Sequence, residues 1–269
     1  MKPQHFLAVV AIGLLSIFTN SMRAAEHGTK TKGKILMIAA NPSVSQQTQW
    51  PIGCWAAELT HPYWEFVQAG YEVEIVSPNG GKLEFDAYSD PRDASGYSAH
   101  DFVSLGFITS PITSKLIENT RKLSTVNPKD YKAIFLVGGQ SPMYTFRGNK
   151  DLEKFVVDFY LTKKPTTLVC HSTCILLDAK LPNGKYLVEG KKWTGFADSE
   201  EQYADNFVGK RIQPFWIETE ARKMKNTTFV VKEAFTPFAI ADGNLITGQQ
   251  QNSGGEAARL LVRMLESKK

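Results

Sequence analysis

The chain has 269 residues, a formal net charge of +4 at pH 7, 42% hydrophobic residues and 22% charged residues. Such a chain buries a substantial core, in one large domain or two small ones, and wholesale disorder is excluded. Its lysines are scattered, with "KKW" at 191–193 reading as a solvated turn, so there is no dense basic stripe of the kind a nucleic-acid face needs.

In chain order, Lys2 precedes an apolar run from Phe6 to Phe18, broken only by Gly13 and Ser16. At roughly 13 residues the run is too short to span a bilayer and reads as the core of a signal peptide. Residues 1–25 are assigned to that leader, with cleavage after Ser21 or after Ala24; an uncleaved N-terminal anchor is the alternative. The expected location is therefore periplasmic or secreted. No other stretch is apolar enough to span a membrane, so none is expected to hold the protein once the leader is removed.

"KILMIAA" (34–40) reads as a buried strand, and "CWAAELTHPYWEFVQAG" (54–70) as a helix with Gly70 as its C-cap. "YEVEIVS" (71–77) is the next strand. Residues 82–108 are polar, aromatic and irregular, which suggests a surface insertion. "ITSKLIENTRKL" (112–123) has helical spacing, "YKAIFLVGG" (131–139) is a strand ending in two glycines, and "DLEKFVVDFYLTKK" (151–164) is a helix stopped by Pro165. "TTLVC" is the fourth strand. "KYLVEGKKWTGF" has the pattern of a hairpin, "SEEQYADNF" and "PFWIETEARKM" of helices, and "TTFVVKE" of a strand. "FAIADGNLITG" is a hairpin turned by Asp242-Gly243, and "GEAARLLVRMLESK" a terminal helix. Strands alternating with helices, and apolar enough to be covered on both faces, predict an α/β sandwich around a mainly parallel sheet.

Ligands of such sheets sit beyond the carboxyl ends of the strands. That rim collects the polar segment after Ala40, Gly138-Gly139 and Cys170-His171. A cysteine at a strand-to-helix turn is lifted out of the sheet, and a helix N-terminus favours its thiolate. The neighbouring His171 supplies a base if a third group orients its ring. Backbone N–H groups after Gly139 and after Cys170 are candidate oxyanion donors. Packing is the plain alternative for any lone cysteine, and it is the reading for Cys54 and Cys174. Three cysteines are too few for a disulfide framework, although Cys170 and Cys174 are spaced to meet on adjacent helical turns. No His or Cys spacing suits a metal, so no metal is expected.

The order of "WAAELTHPYWEFVQAGYEVEIVSPNGG", "DYKAIFLVGGQSPMYTF", "TTLVCHSTCILL", "WTGFADSEE" and "ADGNLITGQQ" resembles the ThiJ/PfpI superfamily, in particular its larger chaperone/glyoxalase III branch. The resemblance covers residues 33–267. It implies the fold of class I glutamine amidotransferases: a flavodoxin-like, three-layer single domain with small insertions. It also implies a nucleophile, Cys170, its partner His171, a carboxylate from an earlier helix, Glu58, and an acid that orients the histidine. Glu201 fits that last role best, with Asp198 and Glu200 open. Gly138, Gly139, Gln140 and Ser172 fall at the implied oxyanion and substrate pocket. Ser172-Thr173 stands where the family commonly has Gly-Pro or Gly-Ala, "GGQS" where it has "GGHG", and "TGQQQNS" where it has "TGQNP". These departures point to a changed substrate or lost activity, with Ser172 expected to crowd the oxyanion pocket.

The activity implied is glutathione-independent conversion of methylglyoxal to lactate, with deglycase-like action on small carbonyls, and it needs neither metal nor organic cofactor. A cysteine amidase or peptidase using the same residues is one alternative, and a non-catalytic chaperone or redox sensor is another. Dimers are common in the family, and a homodimer is the expected assembly.

Overall fold

The structure is a computed structural model that describes residues 31–267; the predicted leader, residues 1–25, lies outside the described residues. Seven strands form the central sheet: Lys34–Ile38 (β1), Glu72–Ser77 (β2), Arg121–Lys122 (β3), Tyr131–Leu136 (β4), Thr166–Val169 (β5), Ala239–Asp242 (β6) and Leu245–Gly248 (β7). Their order is β6-β7-β5-β4-β1-β2-β3. Every neighbouring pair is parallel except β6–β7. The central strands are apolar on both faces because both faces are covered: Ile35 to Ile38 and Ala133 to Leu136 are fully buried. The expected α/β sandwich with a mainly parallel sheet is therefore the fold.

The main helices are Ala56–Gln68 (α1), Phe102–Thr109 (α2), Lys150–Leu161 (α3), Asp198–Val208 (α4) and Gly254–Glu266 (α5). Helix α1 buries Ala56, Glu58, Leu59 and Phe66 and packs against α5. The two approach closely at Gly254, where a Cβ would stand 3.3 Å from Pro62 Cγ and 3.4 Å from the Cα of Glu58. This close crossing fixes the depth of Glu58 beneath the sheet rim.

Several local expectations are corrected. Residues 112–123 are not one helix: only Lys115–Glu118 is helical, and the chain then becomes edge strand β3. Thr120 explains the switch, because its hydroxyl bonds the Gly81 carbonyl and Ser77 Oγ while its backbone pairs with Gly81. The segment 82–108 is not wholly irregular; it ends in α2, capped by Asp101, whose carboxylate accepts the Ser104 N–H at 3.0 Å. "KYLVEGKKWTGF" is not a hairpin. Lys192–Trp193 pairs in parallel with Thr228–Phe229, far away in sequence. Only Ile217–Ala221 of "PFWIETEARKM" is helical, and only Thr228–Phe229 of "TTFVVKE" is strand. The β6–β7 hairpin turns at Gly243-Asn244, one residue later than expected, with Gly243 at φ +64°.

The chain leaves β4 at Gly138-Gly139 and β5 at Cys170, side by side on the same rim.

Candidate active site

Strand β5 stops because Cys170 takes φ +54°, a left-handed conformation costly for a residue with a Cβ. The chain then winds into a 3-10 segment, Cys170–Leu177. The two hydroxyl residues hold this turn. Ser172 Oγ accepts the Val169 N–H at 3.0 Å and directs its proton toward the carbonyls of Val169 (2.6 Å) and Leu136 (3.0 Å). Thr173 Oγ1 donates to the Cys170 carbonyl at 2.6 Å. Ser172 is therefore a brace of the elbow, fully buried and absent from the pocket wall, and does not crowd an oxyanion site. The expectation that it lines the pocket is corrected: its short hydroxyl finds three backbone partners behind the turn.

The sulfur stands on the pocket floor rather than out in solvent. Cys170 is only 3% exposed. Its Sγ is 3.3 Å from His171 Nδ1, and the backbone N–H groups of Gly139 and His171 face it. From below comes Glu58, whose Oε2 accepts the Gly138 N–H at 3.0 Å and whose carboxyl faces the Cys170 thiol, with Oε1 buried and without a partner. Gly138 is there for room: a Cβ would lie 2.4 Å from Glu58 Oε2 and 2.7 Å from Cys170 Cβ. Gly139, at φ +105°, passes equally close to the backbone of Cys54 and Trp55.

The electrostatics differ from the sequence expectation of a thiol lowered by a helix end. Burial pushes the Cys170 thiol well above its ordinary range and a charged Glu58 adds to the rise, while the Gly139 and His171 N–H groups oppose it. Burial also raises Glu58, to about 7. Thiol and carboxyl thus compete for one negative charge. Once Glu58 is protonated, the repulsion disappears and its O–H becomes a donor to the sulfur.

His171 lies flat against Phe196, ring centroids 4.2 Å apart, and its Nε2 is 3.1 Å from Glu201 Oε1. An Nε2–H bonded to Glu201 leaves Nδ1 as the acceptor that faces the thiol. Burial pulls the imidazole pKa down, but the charge and hydrogen bond of Glu201 outweigh it, and the net direction is up. Glu201 is itself raised by burial, against the pull of His171. Of the three open acids, then, Glu201 alone reaches the ring. Asp198 bonds the N–H and hydroxyl of Thr219, and Glu200 accepts from Ala197, Phe235 and Gln249.

Asp86 is a site residue that sequence reasoning missed. It is fully buried and accepts the N–H groups of Gly53 (2.9 Å) and Gln140 (2.8 Å); burial raises it to about 6. The Gln140 N–H, expected to serve an oxyanion, is thus already engaged, and the donors that face the sulfur are those of Gly139 and His171. No local signal distinguishes Asp86 from Asp90 and Asp93 in the same polar segment. The other cysteines are packing residues and no disulfide forms: Cys174 Sγ donates to the Pro142 carbonyl at 3.5 Å, and Cys54 Sγ contacts the Glu84 carbonyl at 3.7 Å.

Above the sulfur opens a pocket of about 90 Å³, floored by Cys170, His171, Gly139 and Gln140, with Glu201 in its wall. Trp50, Trp55, Phe196 and Ile212 are among its apolar lining.

Fold and site together define an α/β protein with a cysteine on a nucleophile elbow, backed by a carboxyl and a His-Glu pair. The sequence profile of the DJ-1/PfpI family matches residues 53–264, and the chain belongs to that family. It is 26% identical over 218 residues to Glyoxalase 3 of Candida albicans, covering 80% of this chain and 90% of the relative. It is 28% identical over 222 residues to a glutathione-independent glyoxalase of Saccharomyces cerevisiae, covering 81% and 90%. The crystal structure of the Rapid Encystment Protein 24 kDa of Francisella tularensis superposes with a TM-score of 0.77 at 24% identity, covering 87% of this chain and 99% of that one.

Proposed function

We propose that this protein is a cysteine-dependent, glutathione-independent glyoxalase that converts methylglyoxal and water to lactate. The observation that carries the reading is the convergence of Cys170, Glu58 and His171-Glu201 on one pocket floor, in a chain whose relatives bear that activity in their names.

The residues suggest a sequence of steps with His171 as the main proton carrier. Cys170 sulfur adds to the aldehyde carbon, its proton passing through His171 Nδ1 to the aldehyde oxygen, and a hemithioacetal forms. A protonated Glu58 and the N–H groups of Gly139 and His171 stabilise the sulfur while it carries charge. Neutral His171 then removes the hydrogen of the first carbon as a proton. The electron pair forms the enediolate, the hydroxyl proton moves from the first oxygen to the second, and His171 returns its proton to the second carbon. The product is a lactoyl thioester on Cys170. His171 takes a proton from the water that attacks the thioester carbonyl, the carbon–sulfur bond breaks, that proton passes to the sulfur to restore the thiol, and lactate leaves with the second water proton released to solvent. Glu201 keeps the ring oriented and supports its charged form throughout.

The test is lactate production from methylglyoxal without glutathione. Wild type should form lactate and Cys170→Ala should not. Equal lactate from the two proteins would refute the assignment.

A further inference from the structure

The wall above the sulfur is aromatic to a degree that a methyl group does not require. Tyr97 lies edge-on to Trp55, Tyr88 and Phe207, with centroids 6.2, 5.9 and 6.1 Å apart, and Tyr203 meets Phe235 at 5.0 Å. These rings come from four separate segments and form one rim around the pocket mouth. Tyr97, Tyr203 and Phe207 are 45%, 52% and 58% exposed, so this apolar surface is held open to water rather than packed away. Tyr203 and Phe207 lie parallel with centroids 6.5 Å apart, and such a mixed cluster presents both edges and faces to a further ring.

Two further observations bear on the occupant. Phe235 sits at φ +59°, an outlier for a bulky side chain, and the backbone is pinned there: its N–H donates to buried Glu200 at 2.9 Å and its carbonyl accepts from Asn252 at 3.0 Å. Strain maintained by a buried carboxylate beside a pocket is a mark of a functional constraint. The pocket lining also contains no Lys or Arg among the described residues, and it does contain Glu201. A phosphate or carboxylate on the substrate would find no lysine or arginine, and would meet an acid that already holds the His171 ring. The other polar side chains in the lining are neutral, among them the amides of Gln140, Gln213 and Gln251 and the hydroxyls of Tyr88, Tyr97 and Tyr203.

We propose that the site prefers uncharged 2-oxoaldehydes bearing a flat apolar group, an aryl group above all, on the ketone carbon, and that Tyr97, Phe207 and Phe235 select it over methyl. This rests on the glyoxalase reading above. The aldehyde carbon reaches Cys170, and the ring lies between Phe235 and the Tyr97–Phe207 edge.

The experiment compares kcat/KM for phenylglyoxal and methylglyoxal, both followed by formation of the 2-hydroxy acid. A hydrophobic pocket distinguishes even one methylene by roughly 10- to 200-fold, so phenylglyoxal should lead by at least about tenfold. Phe207→Ala should cut that ratio about fivefold. Phe102→Ala, which removes a ring 73% exposed and outside this pocket, should leave the ratio unchanged. A ratio near one, or one favouring methylglyoxal, overturns the proposal while the glyoxalase reading stands. If neither compound is turned over, the glyoxalase reading falls, and saturation-transfer NMR with acetophenone, using acetone as control, decides the aryl site by itself. Saturable acetophenone binding lost in Phe207→Ala upholds it, and no binding overturns it.

Discussion

Cys170 and Cys174 lie one turn apart on the same eight-residue segment, and both are almost wholly removed from water. Burial raises both thiols, Cys174 to about 12. What separates them is what they touch. Cys174 has a carbonyl, a group that can take a hydrogen bond but not a proton. Cys170 has a carboxyl, an imidazole and two N–H donors. Depth in the protein therefore does not make a cysteine inert or reactive; the proton acceptors within reach decide it.

That contrast is most easily broken at the sulfurs themselves. Cys170→Ala should lower lactate formation by at least about 10³-fold, whereas Cys174→Ala should stay within about twofold, since only Cys170 can form the thioester. Comparable losses in the two variants, in a steady-state assay, would erase the distinction. Glu58 offers the next largest effect, this time on stability. Its folded pKa of about 7 lies above the 4.5 of the free group. Its contribution to stability is thus fully present below pH 4.5 and is lost as pH rises through 7, by about 3 kcal/mol between pH 4 and pH 8. Asp86, raised from 3.8 to about 6, acts in the same direction. Urea unfolding of wild type and Glu58→Gln at the two pH values measures this, and the variant should lose most of the Glu58 share. An unchanged pH dependence would mean that Glu58 is not the acid described.

Smaller changes refine the picture. Gly138→Ala forces a methyl between Glu58 and Cys170; activity should fall about 10²-fold, with about 2 kcal/mol of destabilisation from overpacking. Wild-type kinetics from that variant would show that the carboxyl–thiol contact is dispensable. Glu201→Gln is expected to cost about tenfold in kcat/KM and to move the acid limb of the pH–rate profile to lower pH, because His171 loses the charge that holds its pKa up. A profile that keeps its position would assign the limb to another group.

The parts of this molecule legible in its sequence are those where local pattern and tertiary role agree. β1 and β4 are apolar on both faces and covered on both, and β5, half threonine, is buried throughout. The elbow announces itself as a strand former run that stops at Cys-His. Glu58 is different: on a helix it looks like any surface acid, and only the resemblance singles it out, because its depth depends on a glycine 196 positions later in α5. The residues 112–123 misled for the opposite reason. Their helical spacing is real, but Thr120 gains more by bonding Gly81 and Ser77 across the sheet edge than by continuing a helix. Asp86 gave no sign at all. Its partners are backbone N–H groups of two distant loops, and such bonds leave no trace in side-chain order. The aromatic rim is likewise assembled from rings that are far apart in the chain.

The left-handed backbone at position 170 also sets the terms on which this protein can change. Glycine would adopt φ +54° freely, relieving on the order of 1 kcal/mol of conformational cost. Cys170→Gly would thus remove that backbone cost and the thiol together, at the expense of the buried sulfur's packing.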